Sequence, residues 1–259
     1  TVDYAWTKGT TNLGAGASLT LSPSFVDPTD VVECEITLTD ASGGVSTDTQ
    51  TVTIRNTVPV ISATTITPSS GIITTTTLSC SATAADADGE APTLSYEWTE
   101  TKTSTVLGTN PSLTLTPAII NPNDTIRCTA TATDGYSGTD SSSDTVTVEN
   151  TGPTITSVTI TSNESGYYNT STLTCSGVAN DPDGGMPSFT FEWYHNGTSV
   201  GTGVTLALDT TNYAPADVIK CEATASDVHG GSDTMSQSGA LQNRAPSVGV
   251  LLQFEERAR

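Results

Sequence analysis

The chain has 259 residues, with 8 Lys plus Arg against 28 Asp plus Glu, and a formal net charge of -20 at pH 7. That balance excludes a polyphosphate partner, because nucleic-acid binding rests on basic side chains displacing counterions, and it excludes adsorption to an anionic membrane. No apolar run approaches the roughly 20 residues of a bilayer-spanning helix, and a Thr-, Ser-, Gly- and Asp-rich chain with 5% aromatics reads as all-β.

In chain order, the first apolar alternation ends at Trp6 and continues through Leu19, Leu21, Val32, Ile36 and Leu38. Next come Leu94, Tyr96 and Trp98, then Ile126, Cys128, Ala130 and Ala132, then Val146 and Val148. Phe189, Phe191 and Trp193 repeat the first of these runs, and Ile219, Cys221, Ala223 and Ala225 repeat the second. A period of two marks half-buried strands, and Gly- and Asp-rich turns separate them. Trp6, Trp98 and Trp193 recur with a period of about 94 residues, as do Cys34, Cys128 and Cys221, and Asn56, Asn150 and Asn243. The chain is therefore a tandem array. The predicted boundaries are 1–56, 57–150 and 151–243, with 244–259 beginning a further repeat or forming an aberrant tail.

Cys80 precedes Trp98 and Cys128 follows it; Cys175 precedes Trp193 and Cys221 follows it. A Cys…Trp…Cys order on alternating strands resembles the immunoglobulin fold, an antiparallel sandwich whose B–F disulfide lies beneath a strand-C tryptophan. That resemblance implies the pairs Cys80–Cys128 and Cys175–Cys221, the alternative being buried free thiols, and bridges imply an oxidising, extracellular or cell-surface setting. Cys-x-Ala-x-Ala-x-Asp, the Asp-Gly loops and the Asn-Thr-x-Pro joints resemble the Ig-like and PKD-like repeats of large bacterial surface proteins. The chain departs from the PKD pattern after its tryptophans, which read Trp98-Thr99-Glu100 and Trp193-Tyr194-His195, and from cadherins in its cysteine pairs. The first repeat is expected to lack strands A and B, leaving Cys34 unpaired in a piece of a longer chain.

Paired carboxylates are the leading candidate site. Asp86-Ala87-Asp88-Gly89 and Asp181-Pro182-Asp183-Gly184 occupy equivalent loops, while Asp134 and Asp227 open the F–G loops and Asn56 and Asn150 lie on the linkers. An Ig sandwich gathers these loops at one end. Calcium wants six to eight oxygens, so Asn56, Asp86, Asp88 and Asp134, or Asn150, Asp181, Asp183 and Asp227, form candidate Ca²⁺ sites at the joints. The plain alternative is a solvated turn whose side chains cap amides.

No nucleophile elbow, phosphate loop or zinc spacing is present, and His195 and His229 read as exposed loop residues, so no catalytic residue is assigned and the chain is expected not to be an enzyme. Asn123, Asn163, Asn169 and Asn196 begin glycosylation triplets, and Tyr136, Tyr167, Tyr168 and Tyr194 are the aromatics left over for a sugar platform. The expected function is a non-enzymatic spacer or stalk of an extracellular adhesion protein, its partners being neighbouring repeats. A carbohydrate- or protein-binding module and an accessory region of an extracellular hydrolase stand as alternatives. Neither nucleic acid nor membrane insertion is expected. A further expectation is head-to-tail assembly, with the tail run Val248, Val250, Leu251 and Leu252 adding to the first repeat as a strand.

Overall fold

The computed structural model describes residues 1–246, 248 and 249. They form two compact units, Thr1–Glu149 and the chain from Asn150 onward. Residues 247 and 250–259, and with them most of the expected tail and its spare strand, lie outside the described residues. No helix is long and apolar enough to cross a membrane.

Every described element is a strand. The first repeat has β1 (Val2–Lys8), β2 (Thr11–Ala15), β3 (Val31–Thr39) and β4 (Val45–Thr53) in one sheet, order β2-β1-β3-β4. The second has β5 (Val60–Thr67), β6 (Thr77–Ala85), β7 (Thr93–Glu100), β8 (Thr105–Gly108), β9 (Ser112–Thr114), β10 (Thr125–Thr133) and β11 (Thr139–Thr147). These make two sheets, β5-β6-β9 and β11-β10-β7-β8. The third repeat has the same plan with β12 (Thr154–Ser162), β13 (Thr172–Asn180), β14 (Ser188–His195), β15 (Thr198–Thr202), β16 (Thr205–Ala207), β17 (Val218–Ser226) and β18 (Ser232–Ala240). Its sheets are β12-β13-β16 and β15-β14-β17-β18. In immunoglobulin terms these are A-B-E against G-F-C-C′, so the fold is all-β with Ig-like strand order.

The alternation puts one residue in two between the sheets. Trp98 and Trp193 are fully buried and stand opposite Cys128 and Cys221 in the strand register. Disulfides Cys80–Cys128 and Cys175–Cys221 tie sheet to sheet through these centres. Each indole N–H donates to a loop carbonyl, Trp98 to Asn110 at 2.8 Å and Trp193 to Gly203 at 2.9 Å, so neither polar group is stranded in its core. Trp6 makes the same bond to Gly16 at 2.8 Å.

The first repeat lacks more than strands A and B. Ser18-Leu19-Thr20 matches the strand Ser112-Leu113-Thr114 in sequence but forms no strand, because β9 exists only by pairing with β6 and no such partner is present for residues 18–20. What survives is C′-C-F-G, and Cys34 is free.

One corner recurs in all three repeats and fixes where each chain segment leaves its domain. Thr29, Asn123 and Ala216 adopt positive φ, and the next residue, Asp30, Asp124 or Asp217, accepts an amide from three residues earlier at 2.8–2.9 Å. The same corner clasps the end of the last strand, as Val148 N–H donates to Asp124 O at 2.9 Å and Leu241 N–H to Asp217 O at 2.8 Å. Ile54 N–H donates likewise to Asp30 O at 2.8 Å. The linker residue Asn56 therefore leaves from a fixed point.

Candidate functional site

The head of the second repeat is built from four stretches. Asp134 follows β10, and its Oδ1 accepts the amides of Tyr136 at 2.8 Å and Gly138 at 2.7 Å. Its Oδ2 accepts Asn56 Nδ2 from the linker at 2.9 Å. Gly138 is required by close approach, since a Cβ there would collide with that carboxylate and press on Asn56 and Val58. The Asn56 amide, more than the two backbone amides, holds the Asp134 carboxyl below the usual range against the opposing effect of burial.

Asp86 and Asp88 divide the labour. Asp86 Oδ1 accepts the Asp88 amide at 2.8 Å, closing the turn. Asp88 turns to the linker instead, accepting Thr57 N–H at 2.6 Å and Thr57 Oγ1 at 3.1 Å. The structure thus brings Asn56, Asp86 and Asp134 together and gives Asp88 to the linker backbone. The residue that sequence spacing does not reveal is Glu90: its carboxylate lies with those of Asp86 and Asp134, one oxygen of each within 4.8 Å of the others. Asn56 Oδ1, Asp86 Oδ2 and Glu90 Oε1 are buried with no hydrogen-bond partner. Three buried, unpartnered oxygens in one place fit a hard cation, whose ligands are oxygens of this kind. A shallow cleft beside them is lined by Leu21, Pro23, Val26 and Ile54 of the first repeat and by Ala87 and Asp88. Burial raises the Tyr136 phenol, with the charges of Asp27, Glu90, Asp30 and Asp88 adding to it, a sign of how negative this end is.

The third repeat rebuilds the same linker pin. Asn150 Nδ2 donates to Asp227 Oδ2 at 3.0 Å, Thr151 N–H to Asp183 Oδ2 at 2.6 Å, and Asp183 N–H to Asp181 Oδ1 at 2.9 Å. Asp227 Oδ1 accepts His229 N–H and Gly231 N–H, both at 2.8 Å. Burial pushes the Asp227 carboxyl up, but the Asn150 amide and the loop amides outweigh it, leaving the group below its ordinary value. Gly185 stands where Glu90 does, so no third carboxylate joins Asp181 and Asp227.

The leftover candidates have structural partners. His195 is not an exposed loop residue: it ends β14 with Nε2 2.8 Å from Asp217 Oδ2 and its ring 4.9 Å from that of Tyr213. Asp217 falls to about 2, chiefly through the Ala214 amide, then Asn196 and His195. Tyr167 donates its hydroxyl to Ile160 O at 2.6 Å, Lys220 sits 3.8 Å over the Tyr194 ring, and Arg244 lies 4.4 Å over Tyr168. Of the glycosylation asparagines, Asn169 donates to Tyr213 O at 3.2 Å and Asn196 to Asp217 Oδ1 at 2.9 Å, so their amides are engaged.

The sequence matches no family model and no curated protein. Among solved structures, the chain is similar to that of a 1.5-MDa bacterial ice-binding adhesin concerned with host cell surface retention, at 15% identity and TM-score 0.37, over 93% of this chain and 85% of the other. It is similar to a Ca²⁺-stabilised adhesin with which an Antarctic bacterium binds ice, at 17% identity and TM-score 0.33, over 93% of this chain and 65% of that one. A tetra-tandem repeat from the extending region of a large adhesion protein is similar at 16% identity and TM-score 0.32, over 93% of this chain and 66% of its own. The chain thus spans about two thirds of the length of the latter two.

Proposed function

We propose that this chain is a non-enzymatic spacer of an extracellular or cell-surface adhesion protein, made of a partial Ig-like repeat (1–56) and two complete ones (57–150 and 151–243). Its partners are neighbouring repeats. The observation that carries the reading is the linker pin. In both complete repeats the Asn-Thr pair before the first strand is bonded to two separate acidic loops of the domain it enters. An entry held at two points has little freedom to swivel, and a series of such entries keeps an array extended. Disulfides across both complete sandwiches suit an oxidising exterior.

Calcium belongs to the same reading at the 57–150 head. Asn56, Asp86, Glu90 and Asp134 would hold the ion, which supplies positive charge among carboxylates that otherwise repel. Without it, the Asn56–Asp134 hydrogen bond and the Asp88 grip on Thr57 still define the entry.

Solution scattering tests the spacer role. The double variant Asn56→Ala with Asp88→Ala, folded by circular dichroism, should give a broader distribution of particle dimensions than the parent chain. Superimposable scattering curves would show that the pin does not stiffen the array.

A further inference from the structure

The sheet β2-β1-β3-β4 carries a face with no partner sheet. Trp6 stands opposite Cys34 in the register, as Trp98 stands opposite Cys128 and Trp193 opposite Cys221. In the complete repeats that face is the core. Here it supplies no residue to either core cluster. Exposure climbs along one strand, from 1% at Val32, which the loop carrying Val26 covers, to 50% at Leu38, and Val2 opposite Leu38 is 53% exposed. The equivalent Ala132 and Ala225 are fully buried.

The complete repeats say what covers such a face: a three-stranded sheet whose central strand brings Cys80 to Cys128 or Cys175 to Cys221. We infer that the first sheet is an acceptor for a cysteine-bearing, three-stranded antiparallel sheet supplied from outside these residues, which docks on the Trp6 face and is locked by a disulfide to Cys34. Cys34 is therefore not an idle thiol but one half of an inter-sheet bond. The face also specifies its partner. Ile36 and Leu38 stand where the complete repeats have Ala130 and Ala132, or Ala223 and Ala225, so the incoming central strand must be small beyond its cysteine. The third repeat has such a strand: Gly177 and Ala179 follow Cys175, and a Cβ on Gly177 would collide with the Phe189 ring. A second copy of this chain is a poor occupant. Its other four cysteines are already bridged, leaving only another Cys34 on an equally bulky face.

The bond forms by thiol–disulfide exchange. Two thiols give up two protons and two electrons to a small-molecule disulfide, which departs as two thiols.

A fusion tests this. A copy of residues 151–187 placed directly before Thr1 sets the copied Cys175 as far ahead of Trp6 as Cys175 is ahead of Trp193. After refolding with oxidised glutathione, the fusion should hold no free thiol, where the parent chain holds one, and peptide mapping should join the copied cysteine to Cys34. A second fusion with the copied cysteine changed to Ser reports docking without the bond. There, alkylation of Cys34 should slow roughly tenfold relative to the parent, because access governs thiol reactivity. Alkylation of Cys34 at the parent's rate in the Ser fusion, with its thiol still free in the first fusion, would overturn the inference. So would a Cys34–Cys34 dimer formed equally by parent and fusion, which would make the occupant a second copy.

Discussion

The two complete repeats differ most where they are otherwise most alike. Both pin an incoming Asn-Thr with an F–G aspartate and a B–C aspartate. Only the 57–150 head adds a third carboxylate, Glu90, beside Asp86 and Asp134. At the 151–243 head Gly185 takes that place with φ of +97°, a backbone course that a glutamate would adopt only under strain. The pin is thus a feature of the repeat, while the acidic cluster is a feature of one head. Neutral hydrogen bonding suffices to hold an entry; the extra charge makes one entry responsive to a cation.

The disulfides give the largest effect and the baseline for this comparison, since they close loops of similar length, with separations of 48 and 46 residues. By the chain-entropy estimate each contributes about 4 kcal/mol. Paired Cys-to-Ala changes should therefore destabilise the two repeats by similar amounts in chemical denaturation. A loss of under roughly 1 kcal/mol in one repeat alone would show that its sandwich is not organised around the bridge.

How much of this is legible in the sequence depends on what repeats. Trp, Cys and linker Asn recur in sequence because each has the same neighbour in every copy, so the strand order, the bridges and the residues of the pin can be read from spacing. Glu90 occurs once, behind an Asp-Gly that explains itself as a turn, and nothing in its surroundings marks it as facing Asp134. Thr57 and Thr151 are hidden for another reason: they act through the backbone amide, which carries no side-chain signature. Gly138 and Gly231 do leave a trace, each four residues after its aspartate. The missing E strand is legible only in retrospect, because a Ser-Leu-Thr segment becomes a strand only where a neighbour pairs with it.

Calcium should separate the heads next. At a hundredfold excess over Kd, binding stabilises by about 2.7 kcal/mol. Added Ca²⁺ should raise the melting transition of the Thr1–Glu149 unit and leave that of the Asn150-onward unit in place. Glu90→Gln should remove most of the rise, since it deletes a ligand charge. The converse is stricter: replacing residues 181–187 by the sequence of 86–92 should confer a calcium response on the third repeat. Equal responses of the two units in the parent chain would assign binding to something other than the Glu90 cluster.

The shared pin predicts equality where calcium predicts difference. Asn56→Ala and Asn150→Ala each remove a donor to a carboxylate, and hydrogen bonds to charged groups contribute about 1.5 to 3 kcal/mol. Measured without metal, the two losses should agree within about 0.5 kcal/mol. A loss at Asn150 far exceeding that at Asn56 would mean that the Glu90 head holds its linker by another route.

Acid gives the smallest effect and the finest contrast. Asp134 and Asp227 both lie below their ordinary value of 3.8 when folded. A group depressed on folding contributes its full stability above the unfolded value and loses it as pH falls through the folded one. Both pins should therefore hold from neutral pH down to about pH 4 and weaken below it. The third repeat carries a second such site, the Ala214–Asp217 corner with His195 and Asn196, where the carboxyl falls to about 2. Its loss should continue to about pH 2, after the contribution of Asp134 has faded. Melting curves from pH 7 to pH 2 in metal-free buffer should show the Asn150-onward transition falling over the wider range. Asp217→Asn should narrow that range while leaving the Thr1–Glu149 transition unmoved, and a transition flat down to pH 3 in both units would remove these carboxylates from the stability of the fold.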